Sequence, residues 1–193
     1  MYVVFPRAGL RVHLLAFPAI AMLFWLEGAL PASLLLLAAV LHECGHLIAL
    51  RVFDIPVRRV DVMPMGAVIA YDDSFCPHGQ SAWVAFAGAG ANLLTAAVCL
   101  PFANDLHMLF FVTVNASLAV LNLLPIETLD GGTLLRSVLL NLRTVPDAGQ
   151  VCRIASRISL LLLAAFFVVI GVHSAFPLWH LLLSAVMLVQ IFR

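Results

Sequence analysis

Charge is what this sequence has least of. Only 10% of its 193 residues are charged, lysine is absent, and all ten basic residues are arginine. Soluble domains carry about 25% charged and about 45–50% apolar residues. Here 64% of the chain is hydrophobic and the mean hydropathy is +1.10. A soluble globular enzyme is thereby excluded, and a membrane protein is what the composition describes. A formal net charge of zero, with no basic cluster, argues against a nucleic-acid partner. Four cysteines (Cys44, Cys76, Cys99 and Cys152) lack CxxC spacing, so neither a zinc ribbon nor a disulfide framework is expected, and free thiols are the default. Internal repeats and low-complexity tracts are missing too. The length holds roughly six spans of about 20 residues and no soluble accessory domain.

Apolar windows fall at about 12–27, 30–52, 81–103, 107–125, 157–174 and 176–192, and each reads as a transmembrane helix. The expected fold is an all-α polytopic membrane protein of about six spans, a single domain over residues 1–193. Arg7 and Arg11 precede the first window, so cleavage near Ala29–Ser33 would leave five spans. Because a second apolar helix follows at once, an uncleaved signal-anchor helix is preferred. With six spans and the N-terminus inside, every arginine falls on the cytoplasmic side, and both termini are expected there. Residues 54–80 form the longest connection in the first half. Val57, Val60, Val62, Met63, Val68 and Ile69, punctuated by Pro56, Pro64 and Gly66, predict short β segments after the second helix. A second cytoplasmic stretch, about 131–156, predicts a short surface helix.

What is present is a motif inside the second window. His42-Glu43-Cys44-Gly45-His46 reads HExxH, which sets two imidazoles one helical turn apart with a carboxylate beside the first. Neutral imidazoles at that spacing can grip one Zn²⁺, and the glutamate can take a proton from water. Ionisable residues are costly in hydrocarbon and usually line a functional cavity. Cys44, two residues on from His42, turns away from the His42/His46 face. Catalytic zinc usually takes three protein ligands. The candidate for the third is Asp130, in Asn122-Leu-Leu-Pro125-Ile-Glu127-Thr-Leu129-Asp130-Gly131-Gly132. Pro125 would break the fourth span, while Gly131 and Gly132 would let the chain bend sharply and approach the site. His42 and His46 lie some 8–14 Å above the cytoplasmic end of their helix at about 1.5 Å per residue.

HExxH in one span together with N-x-x-P-x-x-x-L-D-G after a later one resembles the site-2 protease family of intramembrane zinc metalloproteases. The outline without an appended domain is most similar to its sporulation-type bacterial branch. The resemblance implies one zinc per chain held by His42, His46 and Asp130, with Glu43 as general base. It also implies an active-site role for Asn92, because Gly88-Ala89-Gly90-Ala91-Asn92 matches the family's G-P-x-x-N with Ala89 where proline is usual. The run before the aspartate departs as well, with Glu127-Thr128 in place of prolines. The implied chemistry is metal-assisted peptide hydrolysis, in which Glu43 passes its proton to the leaving amine. Asn92 would donate a hydrogen bond to the developing oxyanion or to substrate backbone. A helical substrate must unwind, and the segment Val62–Ala70 would pair with it as an added strand. Val62, Met63, Gly66 and Val68 are therefore substrate-binding candidates, and so is Asn122, although a structural hydrogen bond is the plainer reading for Asn122 and Asn115. The expected partners are the lipid bilayer, a membrane-protein substrate and a membrane regulator, and the expected location is the bacterial plasma membrane.

Two rival readings use the same residues. A metal-ion transporter would use His42, His46 and Asp130 as a transit site, but it would leave Glu43 without a task, and no inverted repeat is visible. A non-catalytic membrane scaffold would not need a complete set of base and ligands. A diiron desaturase needs more clustered histidines than this chain carries. His13, His107, His173 and His180 read as structural, and His78 with Cys76 as part of a solvated turn.

Overall fold

The computed structural model describes residues 2–5, 9–64, 66–72, 76–142 and 147–173. Its elements are β1 (Tyr2–Phe5), β2 (Leu10–His13), α1 (Ala16–Glu27), α2 (Ala29–Val52), β3 (Val57–Met63), β4 (Gly66–Tyr71), α3 (His78–Cys99), α4 (Leu106–Asn122), α5 (Asp130–Leu142) and α6 (Ala148–His173). They fall into two units, Met1–Asn122 and Leu123–Arg193.

In the first unit the long helices are turned inside out relative to a soluble protein. Helix α2 buries Ala32, Ala38, His42, Gly45 and Leu50 and exposes Leu37, Val40, Ile48 and Val52. Helix α3 buries Ala85, Gly88, Ala89, Asn92 and Ala96 and exposes Trp83, Leu93, Leu94 and Val98. Small and polar residues inside with large apolar residues outside is the partition expected where the surroundings are themselves apolar. Among the described residues three helices, Ala29–Val52, His78–Phe102 and Ala148–Val172, are long and apolar enough to cross a membrane.

The strands form one sheet in the order β1-β2-β3-β4. Both hairpins are antiparallel, and β2 pairs with β3 in parallel, Val12 opposite Val62. A parallel pair needs a crossover connection. Helices α1 and α2 supply it, so the chain leaves the sheet after His13 and returns to it at Val57. Gly28, at φ 81°, separates the two helices with a dihedral that glycine adopts freely. The end of α2 is a Schellman turn. The Ile55 N–H donates to Leu50 O at 2.9 Å and the Asp54 N–H to Arg51 O at 3.2 Å, with Asp54 in the left-handed region at φ 55°. Leu50 and Ile55 then pack with Val84 of α3, the apolar contact that accompanies this motif. This cap anchors the C-terminal end of the helix that carries HExxH.

In the second unit Pro125 lies in a tight turn closed by the Ile126 N–H donating to Leu124 O at 2.7 Å. A β-turn follows, with the Leu129 N–H on Ile126 O at 2.9 Å, and Leu129 O then accepts the first N–H groups of α5. A Cβ on Gly131 would run into the carbonyls of Leu123 and Leu124, and one on Gly132 into that of Ile126. Neither glycine has positive φ. Close approach, not backbone freedom, is what requires them.

The structure revises several expectations. The chain is mostly helical but not all-α, because a four-stranded sheet accompanies the helices. Val57–Met63 and Gly66–Tyr71 form the expected β segments, while Tyr2–Phe5 and Leu10–His13 add two strands, the second overlapping the first window only at residues 12–13. Helix α1 has 12 residues, about 18 Å at 1.5 Å per residue, against about 30 Å of hydrocarbon. Helix α4 stops at Asn122, three residues before Pro125, and α6 begins at Ala148 rather than near 157. A helix, α5, occupies the first half of the 131–156 stretch. The sixth window, 176–192, lies outside the described residues.

Candidate metal centre

His42, Glu43 and His46 lie within about one turn of α2, where α3 packs closely against it. A Cβ on Gly45 would strike the Ala87 carbonyl and come within 2.9 Å of Ala91 Cβ. The small residues of α3 permit this approach and bring Val84, Gly88 and Asn92 against the two imidazoles.

Each imidazole is held through Nδ1. His46 Nδ1 lies 2.8 Å from Val84 O, and His42 Nδ1 lies 2.6 Å from Asn92 Oδ1. Backbone carbonyls only accept, so His46 carries its proton on Nδ1. The same logic orients the asparagine. Asn92 Nδ2 is 3.0 Å from Ala38 O, which makes that atom the amine and leaves Oδ1 facing His42. His42 must then donate from Nδ1 as well.

With Nδ1 donating in each neutral ring, the two Nε2 atoms turn toward each other and lie 3.2 Å apart. Two nitrogens about 2.05 Å from one ion at a tetrahedral angle would be about 3.3 Å apart. The spacing fits a single zinc, and the Nδ1 contacts are the outer bonds that metal-bound imidazoles usually make. Space for an ion is kept by Gly88, since a Cβ there would sit 2.8 Å from His42 Nε2 and closer still to His46 Nε2. His42 is buried, and Glu43 and His46 are half-buried.

A family model, Peptidase family M50, matches residues 31–106 and 104–166, which hold HExxH, Asn92 and Asp130. The chain belongs to peptidase family M50. Among similar proteins, Rip3 of Mycobacterium tuberculosis is 29% identical over 185 residues, covering 86% of this chain and 47% of Rip3. The protein sll0528 of Synechocystis is 27% identical over 142 residues, covering 69% of this chain and 37% of that protein. Both are named as zinc metalloproteases. This chain thus spans less than half the length of those two relatives. In fold it is similar to the site-2 protease from Methanocaldococcus jannaschii, with a TM-score of 0.67, 19% identity, and coverage of 100% of this chain and 93% of that one.

The other candidates of this M50 chain are placed as follows. Asp130 is the first residue of α5 in the second unit and is half-buried. Glu127 is exposed, and its backbone N–H donates to Ser156 Oγ at 3.3 Å. Val62, Met63, Gly66 and Val68 lie in the β3–β4 hairpin, with Met63 opposite Gly66 and Val62 opposite Ala67. Asn122 ends α4 and donates from Nδ2 to Leu118 O at 3.0 Å, a structural bond within its own helix.

Asn92 is engaged within the helix bundle. Its side chain is fully buried and both amide protons are committed, one to Ala38 O and one to Asn115 Oδ1 at 2.8 Å. Its Oδ1 faces His42 Nδ1. Two contributors escaped the sequence reading. The Val84 carbonyl has no side-chain signature, and Asn115 was legible only as a polar residue within an apolar helix.

Proposed function

We propose that this M50 chain is an intramembrane zinc endopeptidase that cleaves a membrane-protein substrate in or near its transmembrane segment. The observation that carries the reading is the spacing of the two Nε2 atoms, 3.2 Å apart, in a helix pair whose outer face is apolar. His42 and His46 are two ligands. Asp130 is the third, a carboxylate that offsets part of the ion's charge and gives the His/His/acid donor set that suits catalytic zinc. When bound, zinc supplies Lewis acidity toward a peptide carbonyl and acidifies water. Glu43 holds the proton taken from water and delivers it to the leaving amine. Asn92 and the Val84 carbonyl keep the two imidazoles in the tautomer whose Nε2 can bind metal.

The substrate is presented in extended form beside β4, which is at the edge of the sheet and offers its backbone for strand addition. Val62, Met63, Gly66 and Val68 line that hairpin. The parallel β2–β3 pairing supports a topology in which the N-terminal hairpin and residues 57–71 share the cytoplasmic side, as the arginine distribution requires. Six spans, cytoplasmic termini, a bacterial plasma membrane and a membrane regulator belong to the same reading.

Zinc content of the detergent-purified chain tests it, wild type beside His46→Ala and Asp130→Ala. About one zinc per chain is expected, lost in both variants. Glu43→Gln should keep the zinc and lose cleavage of a single-span test substrate. Retained cleavage by Glu43→Gln would sink the mechanism, and zinc retained by Asp130→Ala would remove Asp130 from the ligand set.

A further inference from the structure

Beyond the ligands and their immediate partners, a second asparagine closes the arrangement. Asn115, on α4, is fully buried and lies two hydrogen bonds away from the imidazole. Its Oδ1 accepts from Asn92 Nδ2 at 2.8 Å, and its own Nδ2 donates to Phe111 O at 2.9 Å. Phe111 O is an acceptor only, so Asn115 cannot turn its amide around without setting oxygen against oxygen. Its Oδ1 is thereby fixed toward Asn92.

The orientation of Asn92 then rests on two acceptors, Ala38 O and Asn115 Oδ1. Flipping the Asn92 amide would oppose its oxygen to both and point its amine at His42. In that arrangement the His42 proton moves to Nε2, the atom that must stay unprotonated to bind a metal. Three helices thus contribute to one tautomer: α2 through Ala38, α3 through Asn92 and α4 through Phe111 and Asn115. The relay ends at both extremities on backbone carbonyls, which cannot change role. A chain of amides buried in an apolar bundle holds its direction because each wrong turn leaves a polar atom unsatisfied.

We infer that Asn115 is a positioning residue for the zinc site, fixing the His42 tautomer through Asn92. The inference rests on the zinc-site reading above but is tested separately from it. The full-length chain in detergent is compared as wild type, Asn115→Leu and Asn115→Asp. Zinc affinity is read by chelator competition, and the His42 ring is read by ¹⁵N NMR of the zinc-free protein. Leucine removes the acceptor at similar size. Aspartic acid in its neutral form supplies an acceptor to Asn92 and a donor to Phe111 O. Wild type should show His42 protonated on Nδ1. Asn115→Leu should weaken zinc binding about 10-fold, at the lower end of outer-partner losses, and mix the two tautomers. Asn115→Asp should stay within about threefold of wild type and keep the Nδ1 proton, a rescue that a packing role alone would not give.

Equal weakening in Leu and Asp, or wild-type affinity and tautomer in Leu, would overturn the role. So would a wild-type ring protonated on Nε2, a result that needs no variant to fold. Failure of wild type to bind zinc would sink the parent reading, and the tautomer measured in the zinc-free protein would still decide for or against Asn115.

Discussion

Adding one methyl group at Gly88 should remove zinc binding without unfolding the protein. A Cβ there sits 2.8 Å from His42 Nε2 and nearer to His46 Nε2. Carbon rests at about 3.5 Å from a neighbouring heavy atom, so the His42 ring or α3 must yield by roughly 0.7 Å, and more at His46. Metal–ligand distances tolerate only about ±0.2 Å. The required shift therefore exceeds the tolerance about threefold at the more distant nitrogen, and rotating either ring breaks its Nδ1 contact with Asn92 or Val84. A loss of at least ~100-fold in zinc affinity is expected, about 2.8 kcal/mol. Chelator competition on the purified chain measures it. Gly90→Ala is the control, because the nearest atoms its Cβ would meet belong to the Phe86 ring, at 3.2 Å and beyond, and that ring can turn. Gly90→Ala should bind zinc within about threefold of wild type while gaining some helix propensity. Zinc affinity within about threefold of wild type in Gly88→Ala would refute the placement of the metal beside these two nitrogens.

Other outcomes follow from the same packing. Gly45→Ala forces a methyl against the Ala87 backbone carbonyl, and overpacking between α2 and α3 should lower unfolding stability by about 1–3 kcal/mol in a denaturant titration. Asp54→Gly should raise stability by about 0.5–1 kcal/mol in the same titration, because the Schellman turn holds residue 54 at φ 55°, where glycine has no steric cost. Stripping zinc from the purified chain should lower its melting temperature. Restoring free zinc to about 100 times its dissociation constant should return about 2.7 kcal/mol, and a melt indifferent to zinc would contradict a native-state site.

The residues with chemistry were legible because their spacing is local. His42 and His46 are one turn apart in any helix, and an apolar window around them guarantees a helix. Pro125 announced the end of α4, and the paired glycines after Asp130 announced a close approach, although only the structure names the carbonyls of Leu123, Leu124 and Ile126 as what they approach. Strand β2 went unread and its last two residues fell inside the first window, because Leu10 and Val12 raise hydropathy whichever structure they adopt. Their alternation with Arg11 and His13 is the period-2 signal of β2, and four residues are too few to outweigh the apolar run that follows. The start of α6 was misplaced for the opposite reason. Arg153 and Arg157 delay the hydropathy window, while the helix itself tolerates them and continues to Ala148.

What spacing cannot supply is direction. Asn92 and Asn115 are each visible as amides in apolar helices, but which end of each amide faces which neighbour depends on how α2, α3 and α4 meet. That meeting is set by residues with no chemistry of their own, such as Gly45, Ala87, Gly88 and Ala91. Once it is set, the outcome is forced. Ala38 O, Phe111 O and Val84 O can only accept, so the amides between them can point only one way and both imidazoles must donate from Nδ1. The metal-binding state of His42 and His46 is therefore decided by backbone atoms that carry no sequence signature, through side chains that do. A histidine pair with the same HExxH spacing, packed against a helix that offered donors in place of these carbonyls, would present protonated Nε2 atoms and bind no ion in that state.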